Sequence, residues 1–524
     1  MKKFERIGKI AAMVIVACLT VQTGQCAVKV AGVFGHGMVL QREIPVSVWG
    51  WGNTGEVVTV TFAGQTQNTT TDADGKWRLK LAPLEASSEG RDFVVNATTY
   101  TNVLVGEVWL CSGQSNMEWP VRNSIDAKAE IAAANFPMIR LVTTPRKHGP
   151  VPRKDLALTW VPCSPKSISG FSAVGFFFGR NLHTELNVPI GLINSSWGGT
   201  RVEPWTPPVG FRMVPELTNI AQQVDAMDPG SEAGKAANRK LVDDVKAWIP
   251  LAETAVADGQ PLVKLPTKPG ASTGHQSPSM IYNEKIHPLV PYALRGAIWY
   301  QGESNGGEGI SYFHKKQALI KGWREIWGHD LSFYFVQLAD FRDPNKAPAG
   351  GDGWAKLREA QLMTLGVPGT GMAVIDDIGL PKNIHPPNKQ DVGHRLSLWA
   401  LAKNYGQTDL VYSGPLYKSH TVISNEVHIK FDHVGSGLMA GVRKTGLEPT
   451  AEDPSGVLKH FAVASTNKVW AWADARIEGD AVIVSAATVV EPVAVRFAFA
   501  TNPLGANLYN KEGLPASPFR TDDW

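Results

Sequence analysis

The spacing of apolar positions changes character twice along the chain. Between residues 28 and 103, apolar side chains recur at every second position in short runs, "VSVWGW", "VVTVTFAG", "WRLKLA" and "DFVVNAT", parted by "GNTGE", "DADGK" and other turn-rich stretches. A period of two marks strands with one buried face, and the Gly, Asp and Asn turns suit hairpins, so a small β-sandwich is expected there. From 104 to 410 the strands read differently: "VGEVWLCSG", "MIRLVTT", "VPIGLINSS", "LRGAIWYQG", "LSFYFVQLA" and "GMAVIDD" are nearly continuous apolar runs. They are spaced widely enough for a helix between neighbours. Strands buried on both faces and alternating with helices imply βα units, hence an α/β domain on a parallel sheet. Inside it, "KLVDDVKAWIPLAETAV" puts Leu241, Val245, Trp248, Ile249, Ala252 and Val256 on one helical face, which predicts a helical insertion over about 210–280. The Pro/Gly-rich "LPTKPGASTGHQSP" reads as a surface loop. Beyond 411, alternation returns in "TVISNEVHIKFDH", "VWAWADARIEGDAVIVSA" and "VAVRFAFA", predicting a second β-rich domain over 411–524.

Composition narrows the classes without changing this picture. With 524 residues, 43% hydrophobic and 19% charged, the chain can bury several cores. A net charge of +3 with no basic block interleaved with aromatics gives no support to a nucleic-acid partner. The 17 Trp serve cores first and sugar-stacking surfaces second. Residues 1–27 combine a basic start with an apolar stretch too short to span a bilayer, and predict a secretion signal cleaved near Ala27. Export to the periplasm or the extracellular space follows, with lipid anchoring at the outer membrane through the "IVAC" stretch as the alternative. No later run is long enough for a transmembrane helix. Of four cysteines only Cys111 and Cys163 lie beyond the signal, either paired or as two buried thiols, so no disulfide framework holds the fold.

Candidate chemistry starts at "CSGQSNMEWP", where Ser115 follows a buried strand and falls at its carboxyl end, the edge at which open α/β sheets bind ligands. The sequence "GQSNM" has Met117 where the α/β-hydrolase elbow needs glycine, no phosphate-binding Gly-x-x-x-x-Gly-Lys occurs at this turn, and no His-Glu-x-x-His metal motif occurs. Three other strand ends add to the serine. "NSSWGGTRVEPW" offers paired glycine amides, "WYQGESN" offers Gln, Glu and Asn, and "NIHPPNKQDVGHRLS" offers His385 ahead of a helix. A serine, a glycine amide, a carboxamide and a histidine converging on one crevice suffice for acyl transfer.

These four stretches, together with "MVLQREIPVSVWGWGNTGEVVTV" near the start and "NLYNKEGLPASPFRTDDW" at the end, resemble those of the sialate O-acetylesterase family of SGNH hydrolases, and the likeness runs in order over nearly the whole chain. The resemblance implies an SGNH-type three-layer α/β/α esterase domain flanked by β-sandwich domains, removing O-acetyl groups from sugars without metal or cofactor. By position, Ser115 matches the nucleophile and His385 the general base. The amides of Ser115 and Gly199 (or its neighbour Gly198) and the side-chain amide of Gln301 would form the oxyanion hole. Family members often carry Asp two positions before the histidine, where this chain has Asn383. The third catalytic position therefore stays open between Asn383, Asp377 at the end of "GMAVIDD", and a backbone carbonyl. Glu118 and Glu303 read as positioning or cap residues. Arg201, Glu303 and Asn305 are the candidate substrate contacts, with Arg201 placed to meet a sugar carboxylate unless Glu203 or Glu303 neutralises it. The expected substrate is an O-acetylated sialic acid. Acetylated xylan or another plant glycan is the alternative within enzymes, and a non-catalytic glycan-binding protein is the alternative outside them.

Overall fold

The computed structural model describes residues 28–267, 274–443 and 446–524. The secretion signal expected at 1–27 lies outside the described residues.

One large sheet organises the molecule. Its central run, in spatial order, is Val161–Cys163, Phe136–Thr143, Ile190–Ser196, Thr98–Gly113, Gly296–Tyr300, Ser332–Val336 and Thr370–Ala373. All pairings are parallel except that of the edge strand Val161–Cys163. The apolar runs are explained by burial on both sides, since every residue of Ile190–Ser196 and of Gly296–Tyr300 is buried. Helices Ala173–Leu186 and Lys389–Asn404 pack on each other, as do Ile310–Trp327 and Gly353–Met363. The architecture is mixed α/β with additional β-sheets.

Register positions the site. Gly113 is level with Ser196 on one side and Tyr300 on the other, so three adjacent strands end at the same height. The segments that leave them, Gln114 onward, Trp197 onward and Gln301 onward, therefore emerge side by side. Strand order also changes direction at Thr98–Gly113, which is where a crevice opens in such sheets. Gly113 has φ +139°, and a β-carbon there would lie 2.1 Å from the Tyr300 carbonyl oxygen, so only glycine lets the strand Thr98–Gly113 turn here.

The two flanking β-regions attach differently. The 16-residue strand Thr98–Gly113 runs without a break across positions 103 and 104: its first half pairs with Ser87–Val95 of the N-terminal region, its second half with the parallel sheet. A single hydrophobic core then continues from Val46, Val58 and Phe93 to Trp109 and Trp299. Among the described residues, the C-terminal region builds three small sheets around its own core of Val427, Ile429, Phe461, Val463 and Phe497. It meets the α/β region through buried polar contacts. The Arg358 guanidinium donates to Asp340 at 2.7 Å and to the Ala500 carbonyl at 2.9 Å.

The helical insertion is present as Thr218–Met227 and Glu232–Ala257, with Pro250 inside the second helix. Of the six apolar residues on its periodic face only Ala252 is buried, while Ile249 and Val256 are exposed. Cys111 and Cys163 are separate buried thiols. Among the described residues, no helix is long and apolar enough to cross a membrane.

Candidate active site

Ser115 opens a four-residue helix, Ser115–Glu118, with only Gln114 between it and the strand. Its Oγ lies 2.8 Å from His385 Nε2, although 270 residues separate them. The imidazole stacks on Trp119 with centroids 4.9 Å apart and planes 15° from parallel, so the ring is held by a face as well as by the serine. Burial, and then the positive charge of Lys389, hold the His385 pKa below its ordinary value. A neutral imidazole near pH 7 can accept a proton from Ser115.

The loop that carries His385 is fastened to the Ser115 turn by Asn116, a residue that sequence reasoning left without a role. Its Nδ2 donates to the Ile384 carbonyl at 3.0 Å, immediately before His385, and to Glu303 Oε1 at 2.5 Å. Its Oδ1 accepts from Lys389 Nζ at 2.5 Å. Asn116 and Lys389 are both buried. Burial pushes the Lys389 pKa down to about 7, opposed by Glu303, and pushes the Glu303 carboxyl up. Glu303 Oε2 is buried without a partner. A sequence signal for Lys389 did exist: it is the first residue of helix Lys389–Asn404, where a cation opposes the helix dipole and needs another reason to be present.

The structure brings neither side-chain candidate for the third catalytic position to the imidazole ring. Asp377 is held bidentately by Arg395 at 2.6 and 2.7 Å, with Arg443 Nη1 at 3.3 Å, and this pairing with guanidinium groups removes it as a partner for His385. Asn383 Oδ1 accepts from the backbone N–H of His385 at 2.9 Å, so it shapes the loop rather than orienting the ring. Among the described residues, Ser115 is the one hydrogen-bonding partner of the His385 ring.

The glycine turn lies against the serine. A β-carbon on Gly198 would sit 3.2 Å from that of Ser115. The Gly198 amide is already engaged, donating to Glu118 Oε2 at 2.9 Å, and Glu118 is paired in turn with Arg146 at 2.6 Å. Glu118 thus positions the turn. Gly199, at φ +75°, is exposed, and its amide and that of Ser115 meet no acceptor among the described residues. Gln276 Nε2 donates to the Gly199 carbonyl at 2.6 Å and Gln276 Oε1 accepts from the Arg201 amide at 3.1 Å, so the end of the Pro/Gly-rich loop braces the turn.

Gln301 departs from its expected place in the oxyanion hole. Its Nε2 donates to the Thr200 carbonyl at 3.2 Å and to Asn305 Oδ1 at 2.7 Å, while its Oε1 accepts from Tyr312 at 2.9 Å. Both amide hydrogens are engaged inside the protein. Asn305 is likewise committed, accepting also from the Val202 amide and donating to Glu203 and Glu308 at 3.1 Å each. Arg201 pairs with Glu308, and its Nε lies 3.7 Å from Glu203, so its charge is neutralised beside Glu203 and Glu308 and not by Glu303. None of Gln301, Asn305 and Arg201 lines the cavity of about 400 Å³ that opens beside Ser115 and His385. A cleft of about 550 Å³ between the N-terminal region and the loop at His287 is larger but contains neither Ser115 nor His385. No group of three or more His, Cys, Asp or Glu suited to a metal occurs among the described residues.

Comparison with known proteins gives the following likenesses. The chain is 32% identical over 424 residues to the sialate O-acetylesterase of Rattus norvegicus, covering 73% of this chain and 74% of that one. It is 31% identical over 428 residues to the sialate O-acetylesterase of Homo sapiens, covering 74% and 73%. A solved carbohydrate acetylesterase from Xanthomonas citri superposes with a TM-score of 0.77 at 34% identity, over 95% of this chain and all of that one. No protein-family model matches the chain.

Proposed function

The chain belongs to the sialate O-acetylesterase family and is a carboxylic ester hydrolase, and on that premise we propose that it deacetylates O-acetylated sugars through an acetyl-enzyme on Ser115. The observation that carries the mechanism is the 2.8 Å contact between Ser115 Oγ and His385 Nε2 at the carboxyl edge of the sheet. In this reading Oγ attacks the acetyl carbonyl as Nε2 takes its proton, and the resulting oxyanion accepts from the amides of Ser115 and Gly199. The C–O bond to the sugar then breaks and His385 returns the proton to the leaving hydroxyl oxygen. Water, deprotonated by the same imidazole, attacks acetyl-Ser115; the acyl C–Oγ bond breaks, the imidazole returns the proton to Oγ, and acetate leaves. In this reading the pair works as a dyad: Trp119 stacks on the imidazole, while Asn116, through the Ile384 carbonyl, and Asn383, through the His385 backbone N–H, hold the loop that carries it. We read the α/β region as SGNH-type on the order of its four motif stretches, and the chain as exported on the character of residues 1–27.

Within the activity, the family's name favours a sialic acid, and the Xanthomonas likeness, which spans 95% of the chain, supports the wider class of acetylated carbohydrates. Ser115→Ala and His385→Ala should each lower kcat for p-nitrophenyl acetate by about 10⁴-fold or more, and the double variant should be little worse because the two act as a unit. Mass spectrometry of acid-quenched enzyme should find one acetyl group on the peptide holding Ser115. Near-normal turnover in either single variant would sink the mechanism.

A further inference from the structure

We propose that Arg122 forms a carboxylate subsite beside Ser115, so that the enzyme favours O-acetylated sugars bearing a carboxylate over otherwise identical neutral ones. This rests on the Ser115 esterase reading. The cavity at the nucleophile is lined by Ser115, His385, Trp119, Asn123, Arg122 and Arg146 among others. Arg201, the arginine that sequence pattern puts forward, is neutralised by Glu308 and Glu203 away from this cavity. Arg146 is neutralised by Glu118. Arg122 has no acidic partner among the described residues, so the cavity keeps one uncompensated positive charge.

The backbone that carries Arg122 is fixed. Its own N–H donates to the Ser169 carbonyl at 3.1 Å, the Val121 N–H to Phe171 at 3.0 Å, and Pro120 bridges to Ser172. Trp119 Nε1 donates to the Asn123 carbonyl at 2.9 Å, closing the turn from the other side. The guanidinium lies over Gly170, where an added β-carbon would come within 3.5 Å of Nη1, and Gly170 lines the same cavity. An arginine on a braced turn, beside the nucleophile and lacking a counter-ion, offers a planar fork that fits a carboxylate bidentately. Trp119, on the same turn, stacks on the His385 imidazole and lines the same cavity as Arg122. Both sialic acids and hexuronates present this chemistry, a ring carboxylate a few bonds from acetylated hydroxyls.

The test compares kcat/KM for each acid with that for its methyl ester, which keeps shape and acetyl group but loses the charge. An O-acetylated sialic acid and an O-acetylated hexuronate form two arms, and the arm with the larger ratio identifies the source. In the wild-type enzyme the acid should exceed its methyl ester by roughly tenfold in at least one arm, carried by KM, as one partly exposed charge-assisted contact implies. That ratio should fall to about one in Arg122→Ala, recover in part in Arg122→Lys, and be unaffected by Arg201→Ala. A wild-type ratio near one in both arms, or a ratio that survives Arg122→Ala, would overturn the subsite. Failure of the esterase reading shows separately, as p-nitrophenyl acetate turnover that survives Ser115→Ala.

Discussion

Two neighbouring strand ends, the turn from Gln114 to Trp119 and the turn from Gln301 to Asn305, start level with each other in the sheet and carry similar buried polar residues. They differ in what their polar atoms have left to offer. At the second turn Gln301 and Asn305 close on each other, on Thr200, Tyr312, Glu203 and Glu308, leaving no amide hydrogen for a ligand. At the first, Asn116 takes up the structural load by binding Ile384, Glu303 and Lys389, and among the described residues Ser115 is left with a hydroxyl that meets only His385 and an amide that meets no acceptor. Buried polar groups must be paired, so their density at a strand end says little about reactivity. What separates an active turn from a bracing one is whether a neighbour satisfies the framework and leaves the reactive atoms free.

The sharpest test of that contrast removes one group from each turn. His385→Ala should cost about 10⁴-fold or more in kcat. Gln301→Leu should leave kcat within about tenfold while lowering the melting temperature, since the Thr200 carbonyl and Asn305 lose a buried donor worth about 1–3 kcal/mol. Should Gln301→Leu instead lose 10²- to 10³-fold in kcat at unchanged melting temperature, as the loss of an oxyanion donor would, the comparison breaks. The next effect belongs to Asn116. Asn116→Ala frees the Ile384 carbonyl and lets the His385 loop shift against Ser115, and a displacement of about 1 Å can lower kcat by roughly 10². KM for p-nitrophenyl acetate should hardly move. An Asn116→Ala enzyme with wild-type kcat would show that Trp119 alone holds the ring.

How much of this was legible in the sequence follows from which interactions leave a local trace. The central strands were, because burial on both faces demands an unbroken apolar run, as in "LRGAIWYQG". That Ser115 and His385 would meet was, because their motifs stand at strand and helix edges, and the two side chains lie 2.8 Å apart. The fate of Gln301 was not: whether its amide faces a cavity or the Thr200 carbonyl depends on a turn 101 residues away. The same holds for Asp377, whose carboxylate is claimed by Arg395 and by Arg443 from the C-terminal region. Position 103 reads as a join because the alternating pattern gives way there to a continuous apolar run, yet the backbone passes through it as one strand. In Glu232–Ala257 the periodicity identified a helix and could not say that its apolar face would remain largely uncovered.

Asp377 supplies the prediction that separates support from chemistry. Its side chain is nearly inaccessible and ties helix Lys389–Asn404, through Arg395, to Arg443 beyond strand Leu438–Val442. Asp377→Ala leaves the buried Arg395 guanidinium short of a carboxylate and loosens the half-buried Arg443, and should lower stability by about 3–5 kcal/mol. The folded fraction, measured at low temperature, should keep kcat within about threefold. A thousandfold loss in well-folded enzyme would restore Asp377 as the catalytic acid.

The smallest effect expected is a displaced pH limb, and it tests whether the buried network at the first turn acts electrically as well as mechanically. In the proposed mechanism turnover needs neutral His385, so kcat/KM should fall as pH drops through the imidazole pKa. That pKa is lowered by burial and then by Lys389, and no carboxylate pulls it the other way. Lys389 itself titrates at about 7, so it is cationic along the acid limb and largely neutral above it. Glu303 faces it across Asn116, and Glu118, Arg122 and Arg146 line the cavity side of the ring. Lys389→Gln removes the charge and retains a donor for Asn116 Oδ1. In that variant the His385 pKa should rise back toward its ordinary value, so the acid limb of kcat/KM should move to higher pH while the plateau above pH 8 stays near wild type. A uniform loss at every pH would mean that Lys389 acts only through packing. An unmoved limb with full activity would mean that the imidazole is tuned by burial alone, leaving Asn116 as the one working link between the serine turn and the histidine loop.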